Sequence, residues 1–448
     1  MNDWIIKISD FLCGYPEFLL LIGGGLFLVF YSRGISIRRF PSALRELRKR
    51  QAGERGAGEI SSVQALFSAI AATVGMGNIA GVAMAIWIGG PGAIFWMWVS
   101  ALVGMTTKFF EGTLSVMYKG EDDMGIPQGG PMYIIGKALG TRWKPLATAF
   151  AVFGLVGTLC LTQANQLVES VTTVFAVPGT FNFKMLMGVV MAVIVGFVIL
   201  GGINRIASLA SRVVPMMVIL YLILVVVISV VNYERIPVTF AAIFKGAFDL
   251  RAGLGGLAGV ALIGARRAAL VNEAGIGTAS MMHGASANTK PVREGLIAMI
   301  EPLIDSGIVC TITSIPIIMY LYPSGYHELA SYSTEGVKGL YVALNAFESL
   351  IPYGKYLLMT IVFFFAFSTM FSYSYYGQKC TTYLFGSRYV IFYNIYYLVM
   401  IVVAAIISLD TMVAIMDVAF LLMACCTMTM ILRLAPRVME QAREYFKK

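Results

Sequence analysis

Two apolar stretches of this chain are each interrupted by a Gly-x-Gly triplet, Gly75-Met76-Gly77 and Gly275-Ile276-Gly277, and the two lie 200 residues apart. Glycine inside a helix costs about 1 kcal/mol relative to alanine, and a backbone group left unpaired in lipid costs several more. A chain keeps such interruptions where the loosened backbone lines a cavity. Matching interruptions in two halves of a membrane protein point to a transporter's binding site.

The composition calls for a membrane. Of 448 residues, 58% are hydrophobic and 13% are charged, whereas a soluble domain carries about 25% charged residues. Mean hydropathy is +0.79. Spanning a bilayer takes about 20 residues. Eleven apolar segments qualify: 16–32, 61–88, 92–118, 145–174, 183–202, 213–232, 254–280, 291–322, 353–376, 389–408 and 412–433. The net charge of +9 would suit nucleic acid, but 23 of the 33 Lys and Arg residues fall in alternate connections. They crowd the first (Arg33 to Arg55) and recur around Lys119 to Lys144, at Arg205 and Arg212, at Lys290 and Arg293, at Lys379 and Arg388, and in the tail. The positive-inside rule puts these connections and the C-terminus in the cytoplasm, with the N-terminus outside.

Asp3, Asp10 and Glu17 break the basic start that a cleaved signal needs, so the first segment is expected to stay as a helix. The six cysteines (13, 160, 310, 380, 425 and 426) have no C-x-x-C spacing and read as packing residues. The basic amphipathic stretch 36–51 is expected to lie along the anionic inner leaflet.

Without the first segment, ten remain, divided five and five, and each half opens on a glycine-interrupted helix. An odd number of spans per half inverts one half relative to the other, the arrangement that permits alternating access around a midplane site. The expectation is a single all-α polytopic domain over 1–448. It comprises an N-terminal helix and basic loop (1–60), a first repeat (61–232), a second repeat (254–433) and a cytoplasmic tail (434–448).

At the first break, the amides of Met76, Gly77 and Asn78 would open a new half-helix whose positive end attracts a carboxylate. The carbonyls of Ala71 and Val74 would suit a hard cation. An amino acid and sodium are a natural pair for such a site, although Gly75, Gly77 and Gly81 would equally allow close helix packing. The second break adds an intramembrane acid, Glu273, after Asn272 and near Arg266 and Arg267. It reads either as a gating or structural ion pair with Arg267 or as a ligand contact. Lys108 and Glu111 are spaced as an intrahelical pair. Ser368 and Thr369 place adjacent hydroxyls in a helix of Phe and Met; these either bond back to their own helix or complete a sodium site. Gln163, Asn165 and Gln166 form a polar patch. His283 and His327 have no metal or hydrolase spacing, and no phosphate-binding glycine loop occurs. ATP-driven transport, proteolysis and nucleic-acid binding therefore lack their parts. No cofactor is expected, and sodium is the expected metal.

Several runs together resemble the sodium:alanine symporters, also called alanine or glycine:cation symporters, over nearly the whole chain. They are Thr73-Val-Gly-Met-Gly-Asn-Ile-Ala-Gly-Val-Ala83, Gly89-Gly-Pro-Gly-Ala-Ile-Phe-Trp-Met-Trp98, Pro127-Gln-Gly-Gly-Pro-Met-Tyr133, Gly201-Gly-Ile-Asn-Arg-Ile-Ala207, Asn272-Glu-Ala-Gly-Ile-Gly277 and Phe365-Ala-Phe-Ser-Thr369. The resemblance implies a carrier of the bacterial or archaeal inner membrane with a leucine-transporter-type fold plus one N-terminal helix. Its partners would be a small neutral amino acid, sodium and the lipid bilayer, and a monomer fits. By that resemblance, Val74 to Asn78 hold the substrate carboxylate, and Ala71, Val74, Ser368 and Thr369 form the sodium site. Thr73, Gly75, Met76, Gly77, Asn78, Gln163, Val271, Asn272 and Tyr373 are the implied substrate-site residues.

Four positions depart from the family pattern. Met76 replaces a threonine, Val271 a serine, Ser372-Tyr373 a Gly-Trp pair, and Arg267-Ala-Ala-Leu270 an Arg-Gly-Leu-Phe run. The backbone device is intact, so carboxylate and sodium recognition are expected to survive. Tyr373 offers a hydroxyl and less area than tryptophan, which would admit a larger or more polar substrate.

Overall fold

The computed structural model describes residues 12, 14–49, 60–249, 253–323, 339–407 and 409–447, with the side chains of 253–258 and 409–411 excepted. Asp3, Asp10, Cys13, Arg50, Arg55, His327 and Lys448 lie outside the described residues.

The protein is a helical assembly with one two-stranded ribbon, β1 (Gly120–Glu121) paired antiparallel with β2 (Pro127–Gln128). In chain order the helices are α1 (Tyr15–Tyr31), α2 (Ile35–Arg38), α3 (Phe40–Arg48), α4 (Ser62–Thr73) and α5 (Ala80–Gly89). Then come α6 (Ala93–Met117), α7 (Pro131–Leu139), α8 (Lys144–Gly157), α9 (Leu161–Phe175), α10 (Phe181–Ile199), α11 (Gly202–Val231) and α12 (Ile236–Ala247). The remainder are α13 (Gly253–Asn272), α14 (Thr278–Gly284), α15 (Pro291–Leu321), α16 (Gly339–Leu350), α17 (Gly354–Phe385), α18 (Val390–Ile406) and α19 (Leu409–Lys447). Among the described residues, eight helices are long and apolar enough to cross a membrane, or nine when the bent pair α4–α5 counts as one span. The other two expected segments fall on the shorter α1 and on the interrupted pair α13–α14.

Hydrophobicity separates inner helices from outer ones. Only 33% of α10 and 28% of α11 is buried, against 78% of α17 and 72% of α6 and of α15, so α10 and α11 turn most of their side chains to lipid. Phe197 and Val193 of α10 are 75% and 68% exposed, as a lipid-facing surface requires. At the centre, α6 packs against α13 and α15. Close approach there depends on glycine: a Cβ on Gly295 would sit 2.1 Å from Thr113 Oγ1.

Local chemistry fixes the ends of the critical helices. α4 starts on a capping box: Ser61 Oγ accepts from the Gln64 amide at 3.2 Å, and Gln64 Oε1 accepts from the Ser61 amide at 3.0 Å. α4 stops at Thr73, and α5 leaves at 60° to it. The expected helix 145–174 is divided at Cys160, which takes a left-handed φ of 55°. α19 runs on through residues 434–447 of the expected tail despite Pro436, carried by the helix-forming residues that follow.

Candidate functional site

Both interruptions are real breaks, and each is built differently. At the first, Gly75 is extended and the chain makes a single turn of 3-10 helix over Met76–Asn78. Asn78 closes that turn: its Oδ1 accepts from the Gly75 amide at 2.9 Å, and its amide donates to the Gly75 carbonyl at 3.1 Å. The amides of Met76 and Gly77 meet no acceptor among the described residues. Unwinding also releases carbonyls at the end of α4. Thr369 Oγ1 of α17 lies 3.1 Å from the Ala71 carbonyl and 3.4 Å from that of Val74. All three residues are fully buried. A Cβ on Gly75 would come within 2.6 Å of Thr369 Oγ1, so glycine is what lets α17 approach. Three neutral, buried oxygens, two of them within 3.4 Å of the third, suit a hard cation that enters among them.

A cavity of about 380 Å³ opens beside this break. Its wall includes Thr73, Gly77, Gln163, Val271, Glu273 and Tyr373 from the expected set, together with Arg267. Gln166, Glu169 and Asp417 also line it. Glu169 and Asp417 were not anticipated, although an acid inside an apolar segment is itself the signal to look for.

The structure separates other expected residues from the cavity. Ser368 Oγ bonds back to the Phe365 carbonyl at 3.0 Å and lies against the Met217 sulfur at 3.7 Å. Asn165 turns outward and ties α9 to α18 through the Ala404 and Ile407 carbonyls, at 2.9 and 2.6 Å. The Met76 side chain is 1% exposed within the core. Asn272 is buried and uses Oδ1 to accept from the Ala274 amide at 3.0 Å.

Two expected ion pairs are rearranged. Lys108 does not pair with Glu111 along its own helix; it reaches Glu301 of α15 at 2.9 Å, and neither side chain has any exposure. Glu111 Oε1 accepts instead from the Gly275 amide at 2.5 Å. Glu273 and Arg267 border the same cavity without forming a salt bridge. Glu273 accepts from Thr278 Oγ1 at 2.6 Å and from the Tyr373 hydroxyl. Arg267 Nη2 lies 3.4 Å from the Gly77 carbonyl. The guanidinium lies across Gly81, where a Cβ would collide with it at 1.6 Å. Glu111 and Arg267 thus turn to backbone groups freed by the breaks, while Lys108 finds a different carboxylate and Glu273 two hydroxyls.

At the second break, Glu273, Gly275 and Gly277 all take left-handed conformations, with φ of 53°, 92° and 103°. The Ile276 amide donates to the Glu273 carbonyl at 3.1 Å, and Thr427 Oγ1 donates to the Ile276 carbonyl at 2.9 Å. Asp305, which the sequence reading passed over, sits in a π-helical turn, Leu303–Val309, and accepts from Asn78 Nδ2. Such turns often mark functional positions.

The profile of the sodium:alanine symporter family matches residues 1–448. The chain belongs to that family. It is a membrane-embedded, cation-coupled amino-acid symporter and not an enzyme. The symporter is 36% identical over 394 residues to the sodium/alanine symporter AgcS of Methanococcus maripaludis, covering 87% of this chain and 84% of that one. It is 32% identical over 444 residues to the probable sodium/glutamine symporter GlnT of Bacillus subtilis, covering 98% and 90%. Among solved structures, MhsT in complex with L-phenylalanine matches with a TM-score of 0.58 at 13% identity, over 84% of this chain and 89% of that one. The symporter's fold is therefore of the leucine-transporter type.

Proposed function

We propose that this symporter carries a small neutral amino acid, alanine or glycine first, inward with sodium by alternating access. The observation that supports this most is the meeting of the Ala71 and Val74 carbonyls with Thr369 Oγ1, beside the free amides of Met76 and Gly77. In this reading Ala71, Val74 and Thr369 hold sodium, with Ser368 as a neighbour that must turn to join them. The amides of Met76 and Gly77 receive the carboxylate beside Gly75, and Thr73, Gln163, Val271 and Tyr373 surround the rest of the substrate. Met76, Asn78 and Asn272 support the breaks from behind. Sodium binding would fix the broken helix and so order the amides for the amino acid. Linkage then requires each ligand to raise the other's affinity by the same factor.

The topology that serves this mechanism has eleven spans, two inverted five-helix repeats over 61–232 and 254–433, and one additional N-terminal helix. The N-terminus lies outside and the C-terminus in the cytoplasm of a bacterial or archaeal cell. One charge carried inward through 100 mV supplies about 2.3 kcal/mol, roughly fifty-fold accumulation. Labelled alanine uptake into proteoliposomes tests the reading: it should rise with an inward sodium gradient, and uptake indifferent to sodium would defeat it.

A second reading has support of its own. The Gln163 and Gln166 side chains and the Tyr373 hydroxyl give the cavity wall more hydrogen-bonding capacity than alanine uses. Glutamine or serine is then the better substrate, and competition against labelled alanine ranks them. Coupling to protons through Glu273 is tested by Glu273→Gln under a pH jump, which should leave sodium-driven uptake responsive to sodium.

A further inference from the structure

α1 and α19 end on the same side of the protein, and between their ends lies a second cavity of about 450 Å³. Arg33, Arg38 and Arg39 form one wall, and Arg443 and Lys447 form the other. No acidic residue lines it. The five cations make no salt bridge among the described residues. Arg38 reaches only the Arg33 carbonyl, at 3.5 Å. Glu444, next to Arg443, accepts from Gln441 at 3.4 Å.

Five like charges around one hollow repel each other, so the fold must hold them there. It does so in two ways. The Arg39 guanidinium stacks on the Phe446 ring at 3.9 Å, which clips the two walls together. Arg33 and Gly34 take successive left-handed conformations, φ 55° and 68°, and for arginine that conformation is strained. The turn they make carries the chain from α1 into α2 and brings Arg33 and Arg38 to the wall of one hollow.

The surface beside the hollow is apolar. Phe27, Phe30 and Tyr31 of α1 are 52%, 77% and 42% exposed, and Ile37 of α2 is 65% exposed. The Phe27 and Tyr31 rings stack at 5.7 Å between centroids, forming a continuous greasy strip that leads to the cations. Positive charge at one end and exposed aromatics running away from it match a molecule with an anionic head and a hydrocarbon body. We propose that this cavity binds the headgroup phosphate of an anionic phospholipid whose acyl chains lie along α1. The proposal rests on the chain being embedded in a membrane and is independent of which amino acid it carries.

Native mass spectrometry of the full-length protein in mild detergent tests it, with phosphatidylglycerol and phosphatidylcholine added in equal amounts. The expected result is retention of phosphatidylglycerol in clear excess. A Lys or Arg near an anionic lipid contributes about fivefold in binding. The triple variant Arg33→Gln, Arg38→Gln, Arg443→Gln should therefore weaken retention by about two orders of magnitude. The single variant Arg443→Gln, on the exposed end of α19, should weaken it about fivefold and serves if the triple variant does not fold. Arg142→Gln with Arg433→Gln, at the separate basic hollow around Trp143, should leave retention unchanged. Equal retention of phosphatidylcholine, or unchanged retention in Arg443→Gln, overturns the proposal. So does displacement of the lipid by millimolar inorganic phosphate, which would make the ligand a free anion.

Discussion

The two breaks start from the same triplet, yet their backbones are satisfied in opposite ways. At the second, the protein supplies the partners: Asn272 for the Ala274 amide, Glu111 for Gly275, and Thr427 for the Ile276 carbonyl. Glu273 is anchored by Thr278 and Tyr373. At the first break, the Met76 and Gly77 amides find no acceptor among the described residues, and the Ala71 and Val74 carbonyls meet a single hydroxyl. An interrupted helix thus has two uses. One is a fixed bend, closed by side chains; the other keeps main-chain dipoles available to whatever enters the cavity. Glycine spacing cannot distinguish them, and the inventory of hydrogen-bond partners can.

The largest effect should come from the open break. Thr369→Val keeps the shape and removes the third oxygen. Losing a buried polar partner costs about 1–3 kcal/mol, so sodium titrations of uptake should shift by roughly ten- to a hundredfold, while Thr369→Ser should stay near wild type. A valine variant with an unaltered sodium curve would put the cation elsewhere.

Gly277→Ala probes the closed break next. The residue has φ of 103°, and a Cβ would meet Thr427 Oγ1 at 2.5 Å and Pro131 Cγ at 2.6 Å. Strain of about 1–3 kcal/mol is expected, visible as a lower unfolding temperature in detergent. The protein that remains folded should show normal sodium dependence; if its sodium affinity falls instead, the two breaks are not functionally distinct.

A moderate effect is expected at Asp305, which steadies the open break from behind through Asn78. Asp305→Ala strands the Asn78 amide group at a cost of about 1–3 kcal/mol and should raise the alanine KM. Asp305→Asn still offers an acceptor and should recover most of that loss. Equal KM values for the two variants would mean Asp305 has only a packing role.

The smallest effect is reserved for Glu111→Gln. Its carbonyl oxygen can still accept from Gly275, so stability should fall by about 1 kcal/mol or less, with uptake kinetics within twofold. A large loss of transport would show that the charge on Glu111 matters and not merely its oxygen.

That the chain breaks at both triplets was legible in the sequence because backbone geometry follows residue type; which of the two stays open was not. Gly75, Gly77 and the Thr369 hydroxyl carried enough information to bring Ala71 and Val74 into one cluster. Side-chain partners were less legible, since they are decided by helices distant in the chain. Lys108 and Glu111 have good spacing for a pair along one turn, but Glu301, 193 residues away, arrives on α15 and takes the lysine. Ser368 looked equivalent to Thr369, yet adjacent residues on a helix point about 100° apart, and here Thr369 meets the break while Ser368 bonds back to the Phe365 carbonyl. Asp305 and Asp417 were overlooked among apolar neighbours, although an acid at such depth is costly enough to merit attention by itself.

α19 has a consequence that reaches across the molecule. Its 39 residues extend roughly 58 Å at 1.5 Å per residue, nearly twice the hydrocarbon thickness of about 30 Å. Near one end, Val413, Met416, Asp417 and Phe420 form part of the cavity beside the first break; near the other, Met439, Ala442, Arg443 and Phe446 form part of the basic hollow. A single rod therefore touches two compartments that share no other wall. Any tilt of this rod would swing its far tip, beyond Pro436, through a wider arc than the part beside the cavity.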